Sequence, residues 1–190
     1  ICIALIADPP VILLDEPMSS LDPPIRRQLQ RLLKEIHTHF AVTILHVTHD
    51  QEEAFILGDV ISILMDGKIV QTGKRNRVYF FPETKDIALF TGMENVFRGA
   101  VLDTDSSENL ARLSHSGVTF TARYDKLIPR QEVFFGVRAE EVMIIKEGRP
   151  LPRSVEDENV LPVILQRVIE KGSSHTMEFL ETRGLFPVIA

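Results

Sequence analysis

Tryptophan is absent from the 190 residues, and cysteine occurs once, at Cys2. A lone cysteine cannot close an intrachain disulfide, so a disulfide scaffold is excluded and a reducing compartment, or indifference to redox, is implied. Positive charge is short as well: 21 Lys and Arg stand against 27 Asp and Glu, for a formal net charge of −6. That acidity is spread through both halves, so there is no electrostatic footprint for nucleic acid. No apolar run approaches the roughly 18–20 residues that span a bilayer, and no basic-then-apolar leader opens the chain. The sequence reads as soluble and intracellular. It opens on Ile1 rather than Met, already inside an apolar helical pattern, and so reads as a fragment. What is present is ordinary globular material, 44% apolar and 25% charged, enough for one large domain or two small ones.

Through residue 92, short apolar runs alternate with amphipathic stretches, the pattern of an α/β layer. Val11 to Leu14 form a continuous apolar run, as expected of a parallel strand covered on both faces, and the run ends in Asp15, Glu16 and Pro17. A second run, Val42 to Thr48, ends at His49, and a third, Val60 to Met65, ends at the hairpin signal Asp66-Gly67. Asp22 and Pro23 open a helix whose buried face is Ile25, Leu29, Leu32, Leu33 and Ile36, and Asp50 caps a short helix from Gln51 to Leu57. After Gly92 the texture changes. Strand-like runs at Val96–Leu102, Val118–Ala122, Val133–Val137, Val142–Ile145, Val160–Ile169 and Thr176–Leu180 alternate with turn residues, which predicts a small barrel or sandwich. The expected division is 1–92 and 93–190. The acidic run Glu156-Asp157-Glu158 reads as a solvated loop.

Two adjacent carboxylates at the end of a buried strand need a reason, because burying charge without a partner is costly. In open α/β sheets ligands sit beyond the carboxyl ends of the strands, so Asp15, Glu16 and His49 converge on one crevice. That grouping suits phosphoryl chemistry. Asp15 would hold Mg2+ through its water shell, Glu16 would position or deprotonate an attacking water, and His49 would hydrogen-bond a γ-phosphate. Taken singly, an acidic pair after four apolar residues also arises by chance, and a His at a strand end is usually structural.

The ordered set carries more. Ile12-Leu-Leu-Asp-Glu-Pro17, Ser19-Ser-Leu-Asp22 and Val47-Thr-His-Asp50, followed by Asp66-Gly67 with Ile69 and Gly73, resemble the ATP-binding cassette (ABC) ATPases over residues 1–92. The resemblance implies part of a P-loop nucleotide-binding domain. In it, Asp15 is the Walker B aspartate that organises Mg2+-ATP, Glu16 the catalytic base and His49 the switch histidine. It also implies that Ser19, Ser20, Leu21 and Asp22 form a D-loop at a head-to-tail homodimer interface. For Asp22 a simple helix cap is an equal reading. Ile3 stands where this family usually has Arg. No G-x-x-x-x-G-K-[ST] cradle, Q-loop or LSGGQ-type motif occurs, so the chain is expected to be the C-terminal part of a longer ATPase and inactive alone.

Residues 93–190 resemble the OB-like β-barrel appendage, often called TOBE, of import ATPases. The matching segments are Glu94-Asn-Val-Phe-Arg-Gly99 and Phe135-Gly-Val-Arg-Ala-Glu-Glu-Val142, with Ala139 in place of a usual Pro. Ser154 to Asn159 loosely resembles the opening of molybdate-binding modules, with Glu158 where that motif has Arg. A small oxyanion would then meet Ser154, Asn159, Lys171, Ser173 and Ser174, although a solvent-exposed hairpin turn is the favoured reading of Lys171 to His175. The implied function is the energy-coupling subunit of an importer, peripheral on the cytoplasmic membrane face of a bacterium or archaeon. Its partners are transmembrane permease subunits and, through them, a solute-binding protein. Molybdate, tungstate, sulfate or ferric ion is the favoured cargo, with sugar and polyamine open. The alternatives are a regulatory ligand-binding and dimerisation module, or a non-transport ABC ATPase acting on DNA or ribosomes.

Overall fold

The computed structural model describes residues 9–40, 42–124, 128–148, 159–172, 174–182 and 186–190. The chain separates into two compact units, residues 1–82 and 83–190. The expected boundary was Gly92. The difference lies in one helix, Lys85–Phe90, whose residues Ile87 and Ala88 are buried and which is followed by Thr91, a partner of Arg138 in the second unit.

In the first unit, strand β1 (Val11–Asp15) runs parallel to β2 (Thr43–Val47), with Val11 opposite Thr43 and Asp15 opposite Val47. Helix α1 (Pro23–Phe40) crosses over between them. The two prolines at its start fit there because the first helical N–H groups have no partner to lose, and the Asp22 carbonyl accepts the first helical bond from Arg26 N–H at 2.9 Å. Leu33 and Ile36 of α1 are buried, and Ile36 packs with Ile12, Leu14, Val42 and Ile44 on one sheet face. The other face carries Val11, Leu13, Leu45 and Val47, which are 48%, 71%, 58% and 52% exposed. The expectation of a strand covered on both faces is therefore corrected: among the described residues only α1's side is covered. Helix α2 (Gln51–Leu57) follows β2 at once. Strands β3 (Val60–Met65) and β4 (Lys68–Lys74) form an antiparallel hairpin. Its turn residues Asp66 and Gly67 both have positive φ, 48° and 73°, the conformation that two-residue hairpins favour. Helix α3 (Arg75–Phe80) then buries Val78.

The second unit opens with α4 (Lys85–Phe90), whose N-cap Thr84 accepts from Ile87 N–H. One antiparallel sheet follows in the order β7–β6–β5–β8, built from β5 (Asn95–Asp105), β6 (Leu110–His115), β7 (Val118–Arg123) and β8 (Glu132–Val137). A three-stranded sheet comprises β9 (Val163–Lys171), β10 (Ser174–Glu181) and β11 (Pro187–Ile189) in the order β11–β10–β9. Among the described residues no strand ladder joins the two sheets, so they stand as open sheets and a closed barrel is not seen. Phe97, Val101, Leu113, Phe120, Phe179, Phe186 and Val188 form the core. Asn95 is buried and ties β5 to the chain end: its Nδ2 donates to the Val137 and Ile189 carbonyls and its Oδ1 accepts from Ile189 N–H at 2.7 Å. Gly136 has to be glycine there, since a Cβ would lie 2.5 Å from the Asn95 carbonyl oxygen.

Two strand expectations need correcting. Val142–Ile145 is not a strand: a 3-10 turn at Ala139–Glu141 ends in a bond from Val142 N–H to the Ala139 carbonyl, and Met143 and Ile144 are left exposed. In the other direction, β6 and β11 were not foreseen. Both units lack a helix long and apolar enough to cross a membrane among the described residues.

Candidate active site at the end of the parallel strand pair

β1 delivers Asp15 as its last residue, exposed, and Glu16 as the first residue beyond the strand. Glu16 takes a left-handed backbone, φ 47°, uncommon for a residue with a Cβ, and its N–H still donates to the Val47 carbonyl at 2.9 Å. Such strain in a non-glycine residue concentrates at functional sites. The turn that follows closes on the same residue. The Glu16 carbonyl accepts from Ser19 N–H at 3.3 Å and from Ser19 Oγ at 3.0 Å, Met18 is fully buried, and Leu21 N–H bonds the Met18 carbonyl. Ser20 is exposed at the tip, and Asp22 serves as the helix entry.

β2 ends at Val47 and α2 begins at Gln51, so only Thr48, His49 and Asp50 connect them. Asp50 is the N-cap: its Oδ1 accepts from Glu53 N–H at 3.1 Å, while its own N–H donates to Thr48 Oγ1 at 3.0 Å. The connection thereby places the His49 Nδ1 2.7 Å from the Glu16 carboxylate, across 33 positions of sequence. The hydrogen bond to Glu16, reinforced by that carboxylate's charge, raises the His49 pKa above its ordinary value, with smaller help from Asp50 and Glu53 and some opposition from desolvation. Glu16 is about one-third exposed and His49 largely exposed, so both face the open end of the strand pair.

The structure therefore brings Glu16 and His49 into contact, beside Asp15 at the same strand end. It also shows residues the sequence did not single out. Arg26 of α1 pairs with Asp50 at 2.8 Å and donates to the Leu21 carbonyl at 3.4 Å, so it links the Ser19–Asp22 turn to the His49 connection. An Arg one turn into a helix that begins at an acidic turn was the available signal. Among the described residues no cluster of three metal-ligating side chains exists. The donor set still fits Mg2+, which keeps most of its waters and takes one or two carboxylates together with substrate phosphates.

The expected oxyanion set is less coherent. Ser154 and Ser173 lie outside the described residues, as do Ile3, Cys2 and Glu156–Glu158. The side-chain amide of Asn159 is held by the backbone of Thr121 in β7: its Oδ1 accepts from Thr121 N–H at 2.6 Å and its Nδ2 donates to the Thr121 carbonyl at 2.8 Å. The backbones of Lys171 and Ser174 pair across the β9–β10 turn. The set is thus divided between the edge of one sheet and the turn of the other.

An acidic strand end, a histidine after the neighbouring parallel strand and a tight turn following the acidic pair thus meet at one end of the strand pair. Comparison with known proteins identifies the class. The spermidine/putrescine import ATP-binding protein PotA of Mycoplasma genitalium is 34% identical over 148 residues, covering 71% of this chain and 26% of the relative. That of Malacoplasma penetrans is 37% identical over 147 residues, 77% and 24% respectively. The Fe(3+) ions import ATP-binding protein FbpC of Photorhabdus laumondii is 37% identical over 145 residues, 76% and 39%. The chain belongs to the ATP-binding subunits of ABC importers. It spans well under half the length of these relatives. No protein-family model matches it.

Proposed function

We propose that this chain supplies the hydrolytic half of an importer ATPase, with Glu16 as general base and His49 as its partner at the γ-phosphate. The observation that carries the reading is the 2.7 Å contact between the two, made beside Asp15 at the ends of adjacent parallel strands. Glu16 accepts the proton of the attacking water. His49 orients that carboxylate through Nδ1, which leaves Nε2 to donate to the phosphate as charge develops. Asp15 would hold Mg2+, which neutralises phosphate charge when bound. Ser19, Ser20, Leu21 and Asp22 present the turn that meets a second subunit in a homodimer.

The sequence contains no glycine-rich phosphate cradle, so the 190 residues alone are expected not to turn over ATP. Permease subunits and a solute-binding protein are the partners that such a subunit serves from the cytoplasmic face of the membrane. The relatives' names divide between spermidine/putrescine and Fe(3+), so polyamine or ferric-ion import is the cargo reading with most support. Among the described residues of the expected oxyanion set, the Asn159 side-chain amide is committed to the Thr121 backbone, which does not favour an oxyanion site.

The test joins the chain to the P-loop half of one of these relatives and measures phosphate release with Mg-ATP. Turnover is expected in the joined protein and absent from the chain alone. Glu16→Gln should lower kcat by about 10²–10⁴-fold with nucleotide binding retained. Equal turnover in Glu16→Gln would remove Glu16 from the role of base.

A further inference from the structure

Asp50 and Glu53 have the spacing of a reciprocal N-terminal cap, in which the acidic side chain three residues on bonds back to the cap's own N–H. Only half of that arrangement forms. Asp50 accepts from Glu53 N–H, but the Asp50 N–H is already held by Thr48 Oγ1. The Glu53 carboxylate turns inward instead, to a short contact with Nε2 of His46 on β2. Glu53 is 3% exposed, and the His46 side chain is largely enclosed, at 13%.

A buried carboxylate requires such a partner, yet the pair is a poor device for stability alone. His46 Nδ1 is buried without a hydrogen-bond partner, and two apolar side chains of similar size would fill the same space at less cost. Its position is more telling. The segment between His46 and Glu53 contains both groups that hold Glu16: the Val47 carbonyl, which accepts the Glu16 N–H, and His49, which bonds the Glu16 carboxylate. The pair closes that segment at its base, and Arg26–Asp50 straps it from α1.

We infer that His46 and Glu53 are positioning residues: their contact fixes the Val47–Asp50 connection and so keeps His49 and Glu16 in register. The inference rests on the reading of Glu16 and His49 as the reacting pair. Neither His46 nor Glu53 touches substrate. They act through the backbone of three connecting residues, which has no slack when both ends are held.

The experiment labels the histidines of the 190-residue chain with 15N and reads the Nδ1 shift of His49 at pH 7. His49→Gln assigns the signal, and Glu16→Gln gives the value of the ring facing a neutral amide in place of the carboxylate. His46→Phe and Glu53→Met keep side-chain volume while removing the contact. Each is expected to move the His49 signal at least halfway to the Glu16→Gln value, whereas Glu53→Gln, which retains an acceptor, should hold it near wild type. His115 in the second unit should not move in any of them. A His49 signal unchanged in both His46→Phe and Glu53→Met, with only a lower melting temperature, would make the pair purely structural and overturn the inference while leaving the reading of Glu16 and His49 intact. A wild-type signal already at the Glu16→Gln value would instead overturn the reacting pair itself.

Discussion

The two units bury apolar surface in different ways. In the second, β5, β6 and β7 are joined by short antiparallel connections, and their inward faces meet the aromatic cluster of Phe97, Phe120 and Phe186. In the first, a parallel pair is covered by α1 on one face, and Leu13 and Leu45 stand exposed on the other. Antiparallel hairpins complete their pairing locally, whereas parallel strands belong to sheets covered on both faces and extended by further strands. The partly covered sheet is the one that carries Asp15, Glu16 and His49, while the self-contained unit carries no comparable grouping among its described residues.

The contrast is broken or sharpened by substitution. The largest effect is expected from Leu113→Ala, which removes a fully buried side chain of the second unit and should cost about 2–5 kcal/mol in denaturant unfolding of that unit. Asn95→Ala should follow at about 1–3 kcal/mol, because it strands the Ile189 N–H and two carbonyls at a buried junction. Leu13→Ala, on the bare face, should change stability by less than about 0.5 kcal/mol in the same measurement. A large loss there would mean that the face is covered after all. The smallest effect belongs to the exposed pair Arg112–Asp103, with N–O distances of 2.9 Å. The Arg112 hydrogen bond pulls the Asp103 carboxyl below its ordinary 3.8, against desolvation and with a smaller contribution from the guanidinium charge. A depressed folded-state pKa stabilises above the unfolded value and is lost as pH falls through the folded one, so thermal melts of wild type and Asp103→Asn should converge only below about pH 4.

Much of the first unit was legible because its elements announce themselves locally. Apolar runs ended at acids, Asp50 capped a helix that begins at Gln51, and Asp66-Gly67 made the hairpin. The contact between Glu16 and His49 was likewise foreseeable from strand order. The His46–Glu53 pair was not, since a capping-box spacing points Glu53 back to Asp50 and nothing in the sequence shows that Thr48 already occupies that N–H. β6 was missed because Leu-Ala-Arg-Leu-Ser-His alternates weakly and has its identity only through pairing with β5 and β7. Val142–Ile145 was over-read for the converse reason: β-branched residues favour strands only where a ladder partner exists. Arg138, buried against Thr91, and Asn95 look like surface residues until the tertiary fold encloses them.

The central claim is that this chain by itself brings His49 and the Glu16 carboxylate into contact. The most direct measurement is the titration of His49 by NMR in the wild-type chain and in Glu16→Gln. A pKa raised by Glu16 contributes stability that is fully present below the ordinary value of 6.5 and is lost as pH rises through the folded-state value. The wild-type His49 should titrate above 6.5 and return to the ordinary value in Glu16→Gln; an unshifted His49 in the wild type, the same in both proteins, would contradict the account.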